Sequence, residues 1–195
     1  MKYLILGTPF RNQNYRGVTR NRPGYVEGAK DDDPANRCFY WLLEEGGETG
    51  LVENLSRAGE LINEYAKLPD PQIFEILGIT DAAPYQIKGH ELIGFDIADN
   101  SYSGSVLETF FDFDPSTTIQ DPFQNAVPLL LLMQKHFGPL IQENGLFSKS
   151  QEANFFLSCF EALRAVFPNL WEQPEITFQV LGLWELESEI IKSRP

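Results

Sequence analysis

The sequence lacks positive charge over one long central stretch. Residues 89–134 contain neither lysine nor arginine, and His90 is the one residue there that can become cationic. The same stretch carries the acidic residues Glu91, Asp96, Asp99, Glu108, Asp112, Asp114 and Asp121. Such a run produces a sustained negative potential, which attracts cations and basic proteins and repels nucleic acid.

Residue types that carry chemistry are scarce as well. The sequence has two histidines and two cysteines, and they do not occur at a spacing that binds zinc. It has no phosphate-binding glycine loop, no dinucleotide-binding motif, and no metalloprotease or serine-hydrolase motif. These absences favour a binding protein over an enzyme, and no cofactor is predicted.

The surroundings of the cysteines and the lengths of the apolar runs predict the compartment. Cys38 and Cys159 both lie among apolar residues, which favours buried, reduced thiols over a disulfide. The apolar run in residues 1–6 is too short for a signal peptide. Residues 126–133 fall well short of the ~18 apolar residues that a membrane span needs. We therefore expect a cytoplasmic protein without membrane contact.

Basic residues are concentrated at one end of the chain. Residues 1–37 hold seven basic and four acidic residues, whereas the remainder holds eight basic and 24 acidic residues. Residues 10–36 show no apolar period and are predicted to form a long basic loop, a kind of segment that is usually functional or disordered. The net charge of −13 opposes binding of a phosphate backbone by this loop. Two alternatives remain, in which the loop lies on the protein's own acidic surface or docks on an acidic partner.

Apolar periodicity predicts both helices and strands. Helices are predicted over residues 55–68 and 150–167, and a third is predicted to begin near Pro128 and to be buried on all sides. Strands are predicted at residues 2–6, 38–43, 73–79, 91–97, 107–113 and 176–184. The chain length favours one domain over residues 1–195. The mixture predicts an α+β fold with a mixed or mainly antiparallel sheet and about three helices packed on it.

Asp112 and Asp114 form the most enzyme-like feature. If residues 110–114 are extended, alternate side chains share one face and the two carboxylates lie roughly 7 Å apart. Paired carboxylates bind Mg²⁺ or Ca²⁺, or divide into a general acid and a general base. Asp96 and Asp99, at the end of a neighbouring predicted strand, would complete an acidic cluster. The alternative is a half-buried strand that presents its polar side to water.

Residues 99–105 form a polar segment around Tyr102. Small polar residues form turns, and exposed tyrosine is enriched at protein interfaces. The segment is either a plain connecting loop or part of a surface that binds a partner.

Residues 91–99, followed by Tyr102 and then by residues 103–105, resemble a sequence found in small bacterial proteins. Some of those proteins are similar to immunity proteins of polymorphic toxin systems. The resemblance covers about fifteen of the 195 residues. It implies a non-enzymatic, acidic, cytoplasmic protein that neutralises a basic toxin.

The leading hypothesis is therefore an acidic binding protein that masks a basic protein such as a toxin. Its predicted partner-binding residues are Asp96, Asp99, Tyr102, Asp112 and Asp114. One alternative is a metal-dependent hydrolase with Asp96, Asp112 and Asp114 as ligands. The other is a structural subunit that docks through its arginine-rich loop. The oligomeric state stays open.

Overall fold

A computed structural model of the chain describes seven ranges of residues. These ranges are 1–7, 51–65, 74–81, 86–99, 105–111, 125–168 and 176–186. The predicted strand at residues 38–43, the basic loop at 10–36 and Cys38 lie outside them. Cys159 is a partly buried free thiol.

Four antiparallel strands form the sheet. They are β1 (Lys2–Gly7), β2 (Phe74–Thr80), β3 (His90–Asp99) and β4 (Phe178–Leu186). Their order across the sheet is β1-β2-β4-β3, and all three pairings between them are antiparallel. Each strand coincides with one of the apolar runs from which strands were predicted.

Helices occupy the chain between the strands. They are α1 (Leu55–Tyr65), α2 (Val106–Phe111), α3 (Val127–Phe137) and α4 (Ser150–Val166), and a turn of 3₁₀-helix (Gly138–Leu140) follows α3. The three longer helices lie where the periodicity predicts them. Helices and antiparallel sheet together confirm the predicted α+β fold class.

The strand predicted over residues 107–113 is wrong, because residues 106–111 form α2. Val106, Leu107 and Phe110 are buried, and Phe110 follows the other two by four and three residues, a spacing that places side chains on one side of a helix. A short apolar run does not by itself distinguish a buried strand from a buried helix. Packing against β3 and α3 decides in favour of the helix here.

The described helices pack on one face of the sheet, over two different clusters. Over β1 and β2, α1 buries an aliphatic cluster of Ile5, Val52, Ala58 and Leu61. Over β3 and β4, α2, α3 and α4 bury a cluster rich in phenylalanine. Paired residues of neighbouring antiparallel strands lie on the same face of the sheet. Thr80 of β2 and Phe95 of β3 both pair with Gly182 of β4, so these three residues form a row across the sheet on the face that the helices cover.

Five phenylalanine rings form the centre of the larger cluster, which we call the ring cluster. Phe156 is fully buried, and its ring centroid lies 4.9 Å from that of Phe110, 5.0 Å from Phe137 and 5.7 Å from Phe147. Phe160 stacks on Phe156 at 6.2 Å. Aromatic pairs at such distances contribute about 0.5–1.5 kcal/mol each beyond their buried area. The ring cluster therefore holds α2, α3 and α4 in one arrangement.

Both outer edges of the sheet are covered by backbone. Tyr3 of β1 exchanges two hydrogen bonds of 2.8 Å with Val52. Phe95 of β3 exchanges hydrogen bonds of 2.8 and 3.0 Å with Phe147. Covered edges protect a sheet from pairing with other chains.

A β-bulge at Ile93 positions the turn that covers the edge of β3. Gly94 adopts φ +152°, and a Cβ atom there would lie 2.7 Å from Leu146 Cβ and 3.0 Å from the carbonyl oxygen of Phe147. The Asn144 side chain donates a hydrogen bond of 3.0 Å to the Ile93 carbonyl. Glycine is required at position 94 because both its conformation and the close approach exclude a larger residue.

The predicted burial of α3 on all sides is wrong. Leu130, Met133 and Phe137 face the core, whereas Leu132 on the opposite side is 61% exposed, and Leu129 and Leu131 are exposed as well. Among the described elements, α3 is packed on one side only. Its apolar residues therefore divide into a stripe that faces the core and a stripe that is exposed. Neither α3 nor any other helix in the described ranges has the length and apolar composition of a membrane span.

Candidate binding cleft

Asp96, the first of the predicted site residues, is fully buried on β3. Its Oδ1 accepts hydrogen bonds from the Ser105 hydroxyl at 2.7 Å and from the backbone N–H of Ile97 at 2.8 Å. Ser105 also forms an antiparallel bridge with Ala98 on the same strand. Asp96 thus ties the residue before α2 to β3. Its burial disfavours the predicted contact with a partner, because its carboxylate is inaccessible in this conformation.

The other predicted site residues are not brought together with Asp96 in the described ranges. Asp99 ends β3 and is buried, with 5% of its surface exposed. Residues three apart on a strand point to opposite faces, so the carboxylates of Asp96 and Asp99 do not converge. Tyr102, Asp112 and Asp114 lie outside the described residues. Within those residues, no three His, Cys, Asp or Glu side chains are grouped so as to hold a metal ion.

The extended geometry expected for residues 110–114 is wrong at its start. Phe110 and Phe111 are the last two residues of α2. The common face of Asp112 and Asp114 depended on a strand through all five positions. The sequence argument for a shared orientation of the two carboxylates therefore no longer holds. Asp112 and Asp114 themselves lie outside the described residues.

A cleft of about 390 Å³ opens between α4 and the strands β3 and β4, next to the end of β2. Its volume is within the range of pockets that accept small molecules or single side chains. Its lining combines a carboxylate, an amide and a hydroxyl with an aromatic ring, two aliphatic side chains and one further strand residue. These residues are Asp81, Phe95, Ser150, Asn154, Leu157, Gln179 and Val180.

The end of β2 places Asp81 at this cleft. Thr80, the last residue of β2, pairs with Gly182 of β4. The Thr80 hydroxyl also accepts a hydrogen bond of 3.0 Å from the indole N–H of the buried Trp184. Backbone pairing and side chain together hold the end of β2 against β4. Asp81 follows directly and is exposed.

Helix α4 contributes a stripe of three residues along its side. Ser150, Asn154 and Leu157 recur at intervals of four and three, which places them on one side of a helix. The Asn154 amide nitrogen donates a hydrogen bond of 2.7 Å to the Ser150 carbonyl. Because this bond orients the amide, the Asn154 Oδ1 is the atom left to accept from a ligand. Phe95 and Val180 form the apolar wall on the side of the sheet.

Asp81 is the one charged residue among the described residues that line the cleft. The basic residues of α4 and its N-terminal flank have carboxylate partners nearby, since Lys149 pairs with Glu152 at 2.9 Å and Arg164 with Glu161 at 3.0 Å. Within the described ranges, no salt bridge joins a basic residue to Asp81. The cleft therefore presents an accessible negative charge beside hydrogen-bond acceptors and an apolar wall.

Comparison with known proteins identifies no relative. No family model matches the sequence, and neither a curated protein nor a solved structure matches it significantly.

The residues of the cleft were not singled out from the sequence. Asp81 lies two residues beyond a predicted strand, which is a common position for a binding residue, but the same is true of many turn residues. Asn154 and Gln179 carry no local signal. Residues from positions 81 to 180 meet only because β2 and β3 pair with β4 and α4 packs over them.

Proposed function

We propose that this protein is a non-enzymatic acidic binding protein that masks a basic protein partner, such as a toxin, in the cytoplasm. The observation that carries the proposal is the cleft beneath α4, whose lining among the described residues has a carboxylate and no basic residue. A partner that presents positive charge would find there both electrostatic attraction and an apolar surface.

The overall charge supports the same class of partner. A net charge of −13 accelerates association with a basic protein and disfavours nucleic acid. Long-range attraction sets the rate of encounter, whereas a few well-packed contacts set most of the affinity. Tyr102, Asp112 and Asp114 remain predicted contacts outside the described residues, and Asp99 remains a predicted contact at the end of β3.

No observation favours the alternative of a metal-dependent hydrolase. That hypothesis needs Asp96 as a ligand, and the Asp96 Oδ1 atom already accepts two hydrogen bonds. A bound divalent ion would compete with both donors for that oxygen. Asp96 is better explained by its contacts with Ser105 and the backbone.

The experiment that tests the proposal is affinity capture from a lysate of the source cells at low and at high ionic strength. Captured proteins would be identified, produced in recombinant form and titrated against the purified protein by calorimetry. We expect a basic partner that binds with a defined stoichiometry and binds more weakly as salt rises, because salt screens exposed charges. The proposal would be overturned by a partner that is neutral or acidic, or by affinity that is independent of salt.

A further inference from the structure

We infer that the cleft beneath α4 receives one arginine side chain of the partner, with its guanidinium group against Asp81. This inference deepens the proposed function and rests on it, because it assigns the site at which a basic partner is recognised. Asn154 and the apolar wall of Phe95, Leu157 and Val180 complete the site.

The polar atoms of the cleft suit a group that only donates hydrogen bonds. Asp81 offers two carboxylate oxygens, and the Asn154 amide offers one oxygen. The Gln179 side chain lies on the other face of the sheet, because Gln179 pairs with Ala98 whereas its neighbour Val180 packs in the ring cluster. Guanidinium carries five N–H donors and no acceptor, and it binds a carboxylate through two parallel hydrogen bonds. Lysine has a compact ammonium group that cannot reproduce this planar fork.

The apolar wall suits the remainder of an arginine side chain. Its three methylene groups pack well on aliphatic and aromatic surface while the charged end stays near water. This protein already places the guanidinium group of one of its own arginines on an aromatic ring of β4. The Arg164 guanidinium lies 4.9 Å over the Phe178 ring and donates a hydrogen bond of 3.1 Å to the Ile176 carbonyl.

The N-terminus of α4 opposes a cation only weakly. It carries roughly half a positive elementary charge, and the effect falls off within the first turn. Glu152 lies in that first turn and reduces it further. The lining extends from Ser150 to Leu157, along the side of two helical turns rather than beyond the helix end. The full negative charge of Asp81 therefore outweighs the partial positive charge of the helix end, so the cleft favours a positively charged ligand.

The test is titration of the full chain with the capped tripeptide acetyl-Gly-Arg-Gly-amide, followed by NMR. Citrulline and lysine versions of the same peptide serve as comparison ligands, because citrulline keeps the shape of arginine without its charge. We expect the arginine peptide to shift the amide signals of Phe95, Asn154, Leu157 and Val180. The citrulline peptide should bind about tenfold more weakly, since a hydrogen bond to a charged group is lost.

Matched variants separate the cleft from the general negative field. Asp81→Asn should weaken the arginine peptide about tenfold. Glu143→Gln removes the same charge from an exposed residue outside the lining, so it should change the affinity by less than about twofold. Asn154→Ala, which removes one neutral acceptor, should weaken binding about threefold. Melting curves establish that each variant is folded.

The outcomes for the cleft and for the proposed function are distinguishable. Equal losses in Asp81→Asn and Glu143→Gln, or shifts confined to residues outside the lining, would overturn the arginine site. Equal binding of the lysine and arginine peptides would overturn the choice of arginine. In each case a captured basic partner whose binding weakens with salt would still support the proposed function. If no basic partner is captured, the proposed function fails even when the peptide binds in the cleft.

Discussion

The two halves of the helical layer are built from different side chains. Over β1 and β2, a single helix buries a small aliphatic cluster. Over β3 and β4, three helices surround the ring cluster. Aliphatic side chains pack without directional preference, whereas aromatic pairs favour edge-to-face and offset arrangements. The ring half is therefore expected to contribute more to stability and to tolerate substitution less well.

The cleft lies at the boundary between these halves. Asp81 directly follows β2, and the other described residues of the lining belong to β3, β4 or α4. Its geometry thus depends on how the halves are held together, which Trp184 and Thr80 do through their hydrogen bond. A core substitution in either half that leaves the lining of the cleft intact should leave the arginine affinity of the folded protein little altered.

The largest expected effect is that of Phe156→Ala in the ring cluster. Loss of a fully buried ring with four aromatic neighbours should lower the free energy of unfolding by about 4 kcal/mol. Leu61→Ala, the comparable change in the aliphatic cluster of α1, should lower the free energy of unfolding by about 3 kcal/mol. Urea unfolding measures both values.

Phe155→Ala is the control for this comparison. Phe155 adjoins Phe156 in α4 but is 55% exposed, so its loss should cost under about 1 kcal/mol. A larger cost for Leu61→Ala than for Phe156→Ala would contradict the ranking of the two halves.

The second prediction compares a glycine from each half. Gly94→Ala should lower the free energy of unfolding by about 3 kcal/mol, because alanine would be strained at positive φ and would collide with Leu146 and with the backbone of Phe147. Gly78→Ala in β2 meets only the flexible end of Met1, 2.7 Å from the new Cβ. The free energy of unfolding of Gly78→Ala should lie within about 0.5 kcal/mol of the wild-type value.

Thermal and urea unfolding of both glycine variants check this expectation. If the two variants were equally stable, the bulge at Ile93 would not constrain the ring half.

The smallest of the three effects is expected for Ser105→Ala. It removes the 2.7 Å hydrogen bond to the buried Asp96 and should cost about 2 kcal/mol, the usual value for a bond to a charged group. Ser158→Ala is the matched control, since that exposed hydroxyl donates to the Asn154 carbonyl on its own helix. It should change stability by less than about 0.5 kcal/mol.

Hydrogen exchange would show whether the Ser105 effect stays local. The amides of β3 should lose protection in Ser105→Ala, whereas those of β1 should not, because the lost hydrogen bond joins Ser105 to Asp96 of β3. Equal loss at both edges would indicate that the two halves unfold as one unit.

Much of the fold was predictable because the apolar periods are local properties. The period of two in β4 places Phe178, Val180 and Trp184 on one face, and the pairing confirms this alternation. The helical spacing also predicted α1 and α4 at their observed positions. The two errors share one cause. Residues 107–113 and the leucines of α3 are apolar without a clear period, so local pattern did not determine their structure or burial.

The sequence by itself determined the charge, the fold class and the positions of the longer helices and the four strands, because these depend on composition and on side chains close in the chain. Only the tertiary structure decided that α2 is a helix, that α3 exposes leucines and that Asp96 is buried against Ser105. Only the tertiary structure brought Asp81, Asn154 and Gln179 to one cleft. Contacts across many residues depend on strand pairing and helix packing, and no local pattern encodes their geometry.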